Sequence, residues 1–109
     1  MGVERGDLPD SVPAILSFKS WGQPVRVNAK VKPVRTSEIE EACKPADGVE
    51  FSMTEFCKRA LLLVVIEWDY TAYPLTLEGL ADLEDARPGA LFALWSGYQK
   101  ARTAELEKN

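Results

Sequence analysis

The chain contains no histidine, which removes the commonest general base and metal ligand, and with it every Ser-His-Asp or Cys-His catalytic arrangement. Cys43 and Cys57 stand too far apart in sequence for a redox CxxC pair. Two cysteines and scattered carboxylates do not have the spacing of a zinc site. Neither a Gly-x-x-x-x-Gly-Lys-Ser/Thr nor a Gly-x-Gly-x-x-Gly phosphate cradle occurs. No metal and no cofactor is therefore expected. Glu67 and Asp69, flanking Trp68, remain as candidates for acid and base. A spacing of two on a helix turns them away from each other, so the preferred reading is a helix end whose acids face water. An enzyme working with carboxylates alone would have to rest on that pair.

With 109 residues, 46% of them apolar, the chain can build one modest core and has no room for a second domain. Cys43 and Cys57 follow Ala42 and Phe56, neighbours that suggest buried structural thiols in a reducing compartment. The opening MGVERGDLPD has neither the basic flank nor the apolar run of a signal peptide. Position six is Gly6 rather than the Ser or Thr of a myristoylation signal. The longest apolar run, Ala60 to Ile66, falls well short of the roughly 20 residues that span a bilayer, so no membrane partner is expected.

A net charge of -4 argues against general binding to phosphate backbones. The charges are segregated along the chain. Lys19, Arg26, Lys30, Lys32 and Arg35 are the charged residues between Ser11 and Ser37, whereas Glu67, Asp69, Glu78, Asp82, Glu84 and Asp85 form an acidic run without a base. The basic segment, near Trp21, could be drawn as a nucleic-acid platform. The acids of so small a domain would repel the phosphates, and no nucleic-acid partner is expected; packing of the two segments against each other is the preferred reading.

The elements that must position these residues follow from periodicity. Residues 1–13, with Gly2, Gly6, Pro9 and Pro13, read as an extended lead-in to a domain spanning 14–104, and 105–109 as a frayed tail. Ala14 to Trp21 has strand-like composition. Val25, Val27, Ala29 and Val31 alternate with Arg26, Asn28, Lys30 and Lys32, predicting a strand with one apolar and one basic face. The two strands would pair as a hairpin closed by Gly22 to Pro24. Ser37 and Glu40 make a capping-box pattern for a short helix through Cys43. Ser52 and Glu55 make another, with Phe51 and Phe56 at hydrophobic-staple positions, opening a central helix from Met53 to Trp68. The β-branched Val64, Val65 and Ile66 also permit a buried strand over Ala60 to Ile66, although helical spacing is preferred. Thr76 can cap a helix carrying Leu77, Leu80 and Leu83; Arg87-Pro88-Gly89 breaks the chain; and Leu91, Leu94, Trp95, Tyr98 and Ala101 form the stripe of a last helix. The expected fold is α+β, an N-terminal β-hairpin packed against three or four helices.

Without catalytic groups, binding to another protein is the default function. Trp68, Tyr70, Tyr73, Trp95 and Tyr98 are a dense aromatic group that could serve the core or an interface. Tyr70, Tyr73, Leu75, Trp95 and Tyr98 are the candidate partner-binding residues, because they cluster around the break between the central and last helices, where a groove can accept an amphipathic helix.

The order of features, a strand ending in VKPVRTSEIEEA, an apolar helix ending in VIEWDY, the run PLTLEGLADLE and an amphipathic last helix, resembles the tail assembly chaperones of long-tailed bacteriophages. In that family a Trp-Asp or Trp-Asn, a turn and a Pro-Leu-Thr-x-Glu-Gly-Leu passage often precede a terminal helix. The likeness covers about Val25 to Ala101 and rests mainly on Trp68, Asp69, Pro74, Leu75, Thr76, Glu78, Gly79 and Leu80. The turn between Asp69 and Pro74 is here only YTAY, where the family usually carries a longer loop. The resemblance implies a non-enzymatic protein of the infected bacterial cytoplasm that binds the tape-measure protein, assists assembly of tail-tube protein around it, and is absent from the finished virion. A structural virion subunit such as a head-tail connector component, or a generic protein-binding module, is the alternative. Self-association into a homo-oligomer is left open.

Overall fold

The computed structural model describes residues 10–45 and 47–107, with side chains through residue 104. It has a three-stranded antiparallel sheet and four helices, an α+β fold as expected: β1 (Val12–Ser20), β2 (Gln23–Val31), α1 (Thr36–Ala42), α2 (Met53–Val64), β3 (Val65–Trp68), α3 (Leu77–Ala86) and α4 (Ala90–Glu107). Most of the expected lead-in lies outside the described residues. Val12 and Pro13, assigned to it above, belong instead to β1, where Val12 pairs with Val31 and is buried. Helix α4 runs to Glu107, so the backbone of the expected frayed tail is helical that far. No helix among the described residues is long and apolar enough to cross a membrane.

Strands β1 and β2 pair in strict register from Val12–Val31 to Ser20–Gln23. The alternation read from the sequence is the burial pattern: Val12, Ala14, Leu16 and Phe18 face Val27, Ala29 and Val31 on one apolar side. The turn is Trp21-Gly22, one residue earlier than expected, and Pro24 lies within β2. Both turn residues have positive φ, 54° and 79°, which defines the type I′ geometry that matches strand twist. The Trp21 ring, 87% exposed, has the Arg87 guanidinium 5.5 Å from its centre, and Arg87 also donates to the Ser20 hydroxyl.

Helix α1 begins at Thr36, and its N-cap, Arg35, makes no side-chain cap bond. The Ser37–Glu40 capping box is therefore not formed. The second box half-forms: the Ser52 hydroxyl accepts from the Glu55 N–H at 3.3 Å, Glu55 pairs with Lys58 rather than reaching back, and the Phe51 and Phe56 rings meet at 6.1 Å as a staple.

The expected helix from Met53 to Trp68 stops at Val64, and Val65–Trp68 is strand β3, pairing antiparallel with β2. The strand alternative over Ala60 to Ile66 holds for Val65 and Ile66 and fails for Ala60 to Val64, which is helical. The Val64 carbonyl accepts from Lys32 N at 2.7 Å, and Val65, already extended, still donates to Leu61 O. The β-branched run thus leaves the helix at the point where the edge of β2 offers partners. Ile66 is passed over by the pairing, which steps from Lys30–Glu67 to Val31–Val65, and its side chain is exposed at this bulge.

The apolar face of the sheet is covered by helices, α4 against β1 and α2 against α4, with α1 and α3 packed on α2. Leu16, Val27, Leu61, Leu80, Leu91 and Leu94 are among the side chains fully buried between them. Cys43 and Cys57 are free and buried, as expected, and burial raises both thiols, Cys57 to about 11.

Candidate partner-binding surface

The five candidate residues do not line one groove. Tyr70, Tyr73 and Leu75 are half-buried on the core. Tyr70 is the hub of one aromatic group, with Phe18 at 5.9 Å, Trp68 at 6.1 Å and Tyr73 at 5.7 Å between ring centres. Trp95 and Tyr98 belong to a second group, stacked at 5.2 Å, with Phe56 edge-on to Trp95 at 5.6 Å.

Tyr98 is fully buried. Its hydroxyl accepts from Val34 N at 3.1 Å and donates to the Lys32 carbonyl at 3.0 Å. One turn on, Arg102 donates to the Val34 carbonyl at 2.7 Å. These bonds tie α4 to the segment leaving β2, whose backbone groups have no strand partner there. Tyr98 is thus a core residue and cannot meet a partner in this conformation, and Trp95, 6% exposed, is close to the same condition. Both sit on the helix stripe, where an apolar period points inward.

The second aromatic group surfaces at Phe51, which the sequence places at a staple position and not among the partner-binding candidates. Phe51 is 61% exposed at the far end of the Phe51–Phe56–Trp95 chain, with Val49 and Met53 exposed beside it in sequence. Val49, Phe51 and Phe56 border a cleft of about 80 Å³ that also reaches Cys43 and Pro45. The usable signal was the staple itself, because a staple residue precedes the helix and only part of its ring can be covered.

The passage from Trp68 to Leu80 is built on close backbone contacts. Pro74 O accepts from Thr76 N at 2.9 Å, and the Thr76 hydroxyl caps α3 by accepting from Gly79 N at 3.0 Å. A methyl group at Gly79 would lie 2.0 Å from Pro74 O, so only glycine fits. This turn holds Tyr70 and Tyr73 against the sheet end.

Three acids of the run, Glu67, Asp69 and Glu84, have partners within the fold. Lys30 Nζ lies 3.8 Å from Glu67 Oε1 across β2 and β3, a contact between the basic and acidic segments. Asp69 is bonded to Asn28, and Glu84 accepts from Gly89 N and Leu91 N at 2.7 and 3.1 Å, capping α4 from α3. Glu67 and Asp69 therefore lie on and just beyond a strand, not at a helix end, each with its own partner. Among the described residues no group of three or more acids or cysteines is placed to hold a metal ion.

No known protein family, curated protein or solved structure matches this chain.

Proposed function

We propose that this chain is a non-enzymatic protein-binding module acting as a phage tail assembly chaperone, which holds the tape-measure protein soluble while tail-tube subunits assemble, in the cytoplasm of the infected bacterium and not in the virion. The observation that carries the reading is the compact turn from Trp68 to Leu80. The residues of the Trp-Asp and Pro-Leu-Thr-x-Glu-Gly-Leu likeness form it, and it leaves Tyr70, Tyr73 and Leu75 half-buried at the surface. Half-buried tyrosines and an exposed phenylalanine offer the amphipathic contact area that helical apolar stripes require. Tyr98 has no place among the contact residues, and Phe51 joins them.

Co-expression with the tape-measure protein tests this. The chain is expected to keep that protein soluble and to co-purify with it, and replacing Tyr73 and Phe51 with Ala should weaken co-purification while the far-ultraviolet circular dichroism of the chain is retained. A tape-measure protein equally soluble alone, or a chain found by mass spectrometry in purified particles, would instead favour the virion-subunit reading.

A further inference from the structure

Strand β1 is the outer strand of the sheet, and its hydrogen-bonding phase follows from the hairpin. The pair closing a two-residue turn, Ser20–Gln23, bonds both ways. With the observed register, the even-numbered residues of β1 then bond to β2, and the N–H groups of Ile15, Ser17 and Lys19 point away from the sheet. The same phase sends Asn28 toward β3, and Asn28 does bond there, accepting from Asp69 N at 3.0 Å. Among the described residues nothing pairs with the outer edge of β1.

Such an edge is normally blunted by charge, a bulge or a covering element. Here Pro13 and Lys19 blunt it toward its two ends, but it pairs without a bulge over nine residues, and helix α4 lies beneath without closing it. A methyl group built on Gly97 would lie 3.5 Å from Leu16 Cα and 3.9 Å from Ser17 N, so the helix runs hard against the outer strand. Ala93, Ser96 and Ala101 of α4, with Ile15, Ser17 and Lys19 of β1, border a groove of about 650 Å³. Ile15 is 63% exposed beside it.

We propose that this groove is a docking site for an extended segment of a partner protein, alternating apolar and acidic residues, which adds to β1 as a fourth strand. The edge supplies main-chain bonds, the small residues of α4 supply a floor for the apolar side chains, and Lys19, on the solvent-facing side of β1 where the acidic side chains would lie, selects the charge, with Lys100 at the margin of the floor. Helix α4 runs from the hairpin end, where Arg87 meets Ser20, to the opposite end, where Tyr98 meets Val34. Lys19 and Lys100 therefore stand toward opposite ends of the groove, neither has an ion-pair partner among the described residues, and no carboxylate lines it. A second copy of the chain suits the groove poorly, because edge-to-edge pairing about a two-fold axis would bring two α4 floors and two sets of lysines into the same space. Tyr70 and Tyr73 do not line the groove, although Phe18 borders it and touches Tyr70, and the proposal does not rest on the chaperone reading.

The probe is an end-blocked heptapeptide of alternating Val and Glu, titrated into the 15N-labelled full chain. The expected result is saturable shifts centred on the amides of Ile15, Ser17 and Lys19, with slowed hydrogen exchange at those three. Ser17→Pro, which removes one outward N–H at an edge position that tolerates proline, should weaken binding about tenfold, as should N-methylation of alternate peptide bonds in the probe. Charge reversal with Lys19→Glu and Lys100→Glu together should turn the preference to a Val-Lys heptapeptide, which guards the test if Ser17→Pro disturbs folding. Absence of shifts at these amides, or undiminished binding by both variants, overturns the proposal. So does protection of these amides in the free monomer, which would mean that the chain covers its own edge, or a concentration-dependent dimer abolished by Ser17→Pro.

Discussion

Asn28 and Asp69 hold each other by three hydrogen bonds across the β2–β3 edge: Asn28 N and Nδ2 donate to the two carboxylate oxygens at 2.9 and 2.8 Å, and Asp69 N donates to Asn28 O at 3.0 Å. The pair continues the ladder one step past the end of β3, at a carboxylate in open contact with solvent. It fixes the point where the chain turns from the sheet into Tyr70–Tyr73.

The Asn28 side-chain and backbone donors lower the Asp69 pKa. A carboxyl more acidic in the folded chain than in the unfolded one contributes stability above its unfolded pKa and loses it as pH falls through the folded value. Denaturant midpoints of the parent and Asp69→Ala should therefore differ at neutral pH and converge as the solution is acidified below the ordinary aspartate range. A gap independent of pH would show that the carboxylate is not what binds Asn28.

Gly79→Ala should destabilise the domain by about 1–3 kcal/mol, the usual range for overpacking. Helix propensity alone argues the other way, since alanine in a helix is favoured over glycine by about 1 kcal/mol. The clash with Pro74 O, a backbone atom that cannot rotate aside, decides the sign. A higher melting temperature in the variant would mean that the Pro74–Thr76 turn is not held as described.

Tyr98→Phe keeps the ring and its stacking on Trp95 but leaves the buried Val34 N–H without a partner, a loss of about 1–3 kcal/mol. Chemical denaturation measures it. Far-ultraviolet circular dichroism should not change, and under the proposed function the same variant should leave co-purification with the tape-measure protein intact, because Tyr98 lies in the core.

The helix caps made by the hydroxyls of Ser52 and Thr76 should differ in worth. Thr76 accepts from Gly79 N at 3.0 Å in a part-buried setting, and Ser52 accepts from Glu55 N at 3.3 Å in an exposed one. Within the range of about 0.5–2 kcal/mol for cap removal, Thr76→Ala should cost more than Ser52→Ala in paired thermal melts. The reverse order would place more of the folding energy in α2 than its cap geometry suggests.

Much of the fold was legible because it depends on local periods. The two-residue alternation of Val25 to Lys32 is the burial pattern of β2, and Ser52 and Thr76 cap the helices that their spacing announced. The switch from α2 to β3 was legible only as an ambiguity. Val64, Val65 and Ile66 suit either state, and a strand of four residues exists only because the edge of β2 is beside it. The Ser37–Glu40 pattern is present and unused, as the chain enters α1 two residues earlier, from Arg35.

For the candidate surface, residue type by itself determined that this chain has no histidine chemistry and an aromatic surplus around Trp68 to Tyr98. Which aromatics meet solvent was decided by tertiary structure alone. Tyr98 is withdrawn by a backbone segment more than sixty residues away that needs its hydroxyl, while Phe51 meets the Phe56 ring and keeps most of its surface exposed. The open edge of β1 is likewise invisible in sequence. A strand carries the same alternation whether it lies at the margin of a sheet or inside one, and only the order of strands and the path of α4 leave Ile15, Ser17 and Lys19 with main-chain groups unpaired by the sheet.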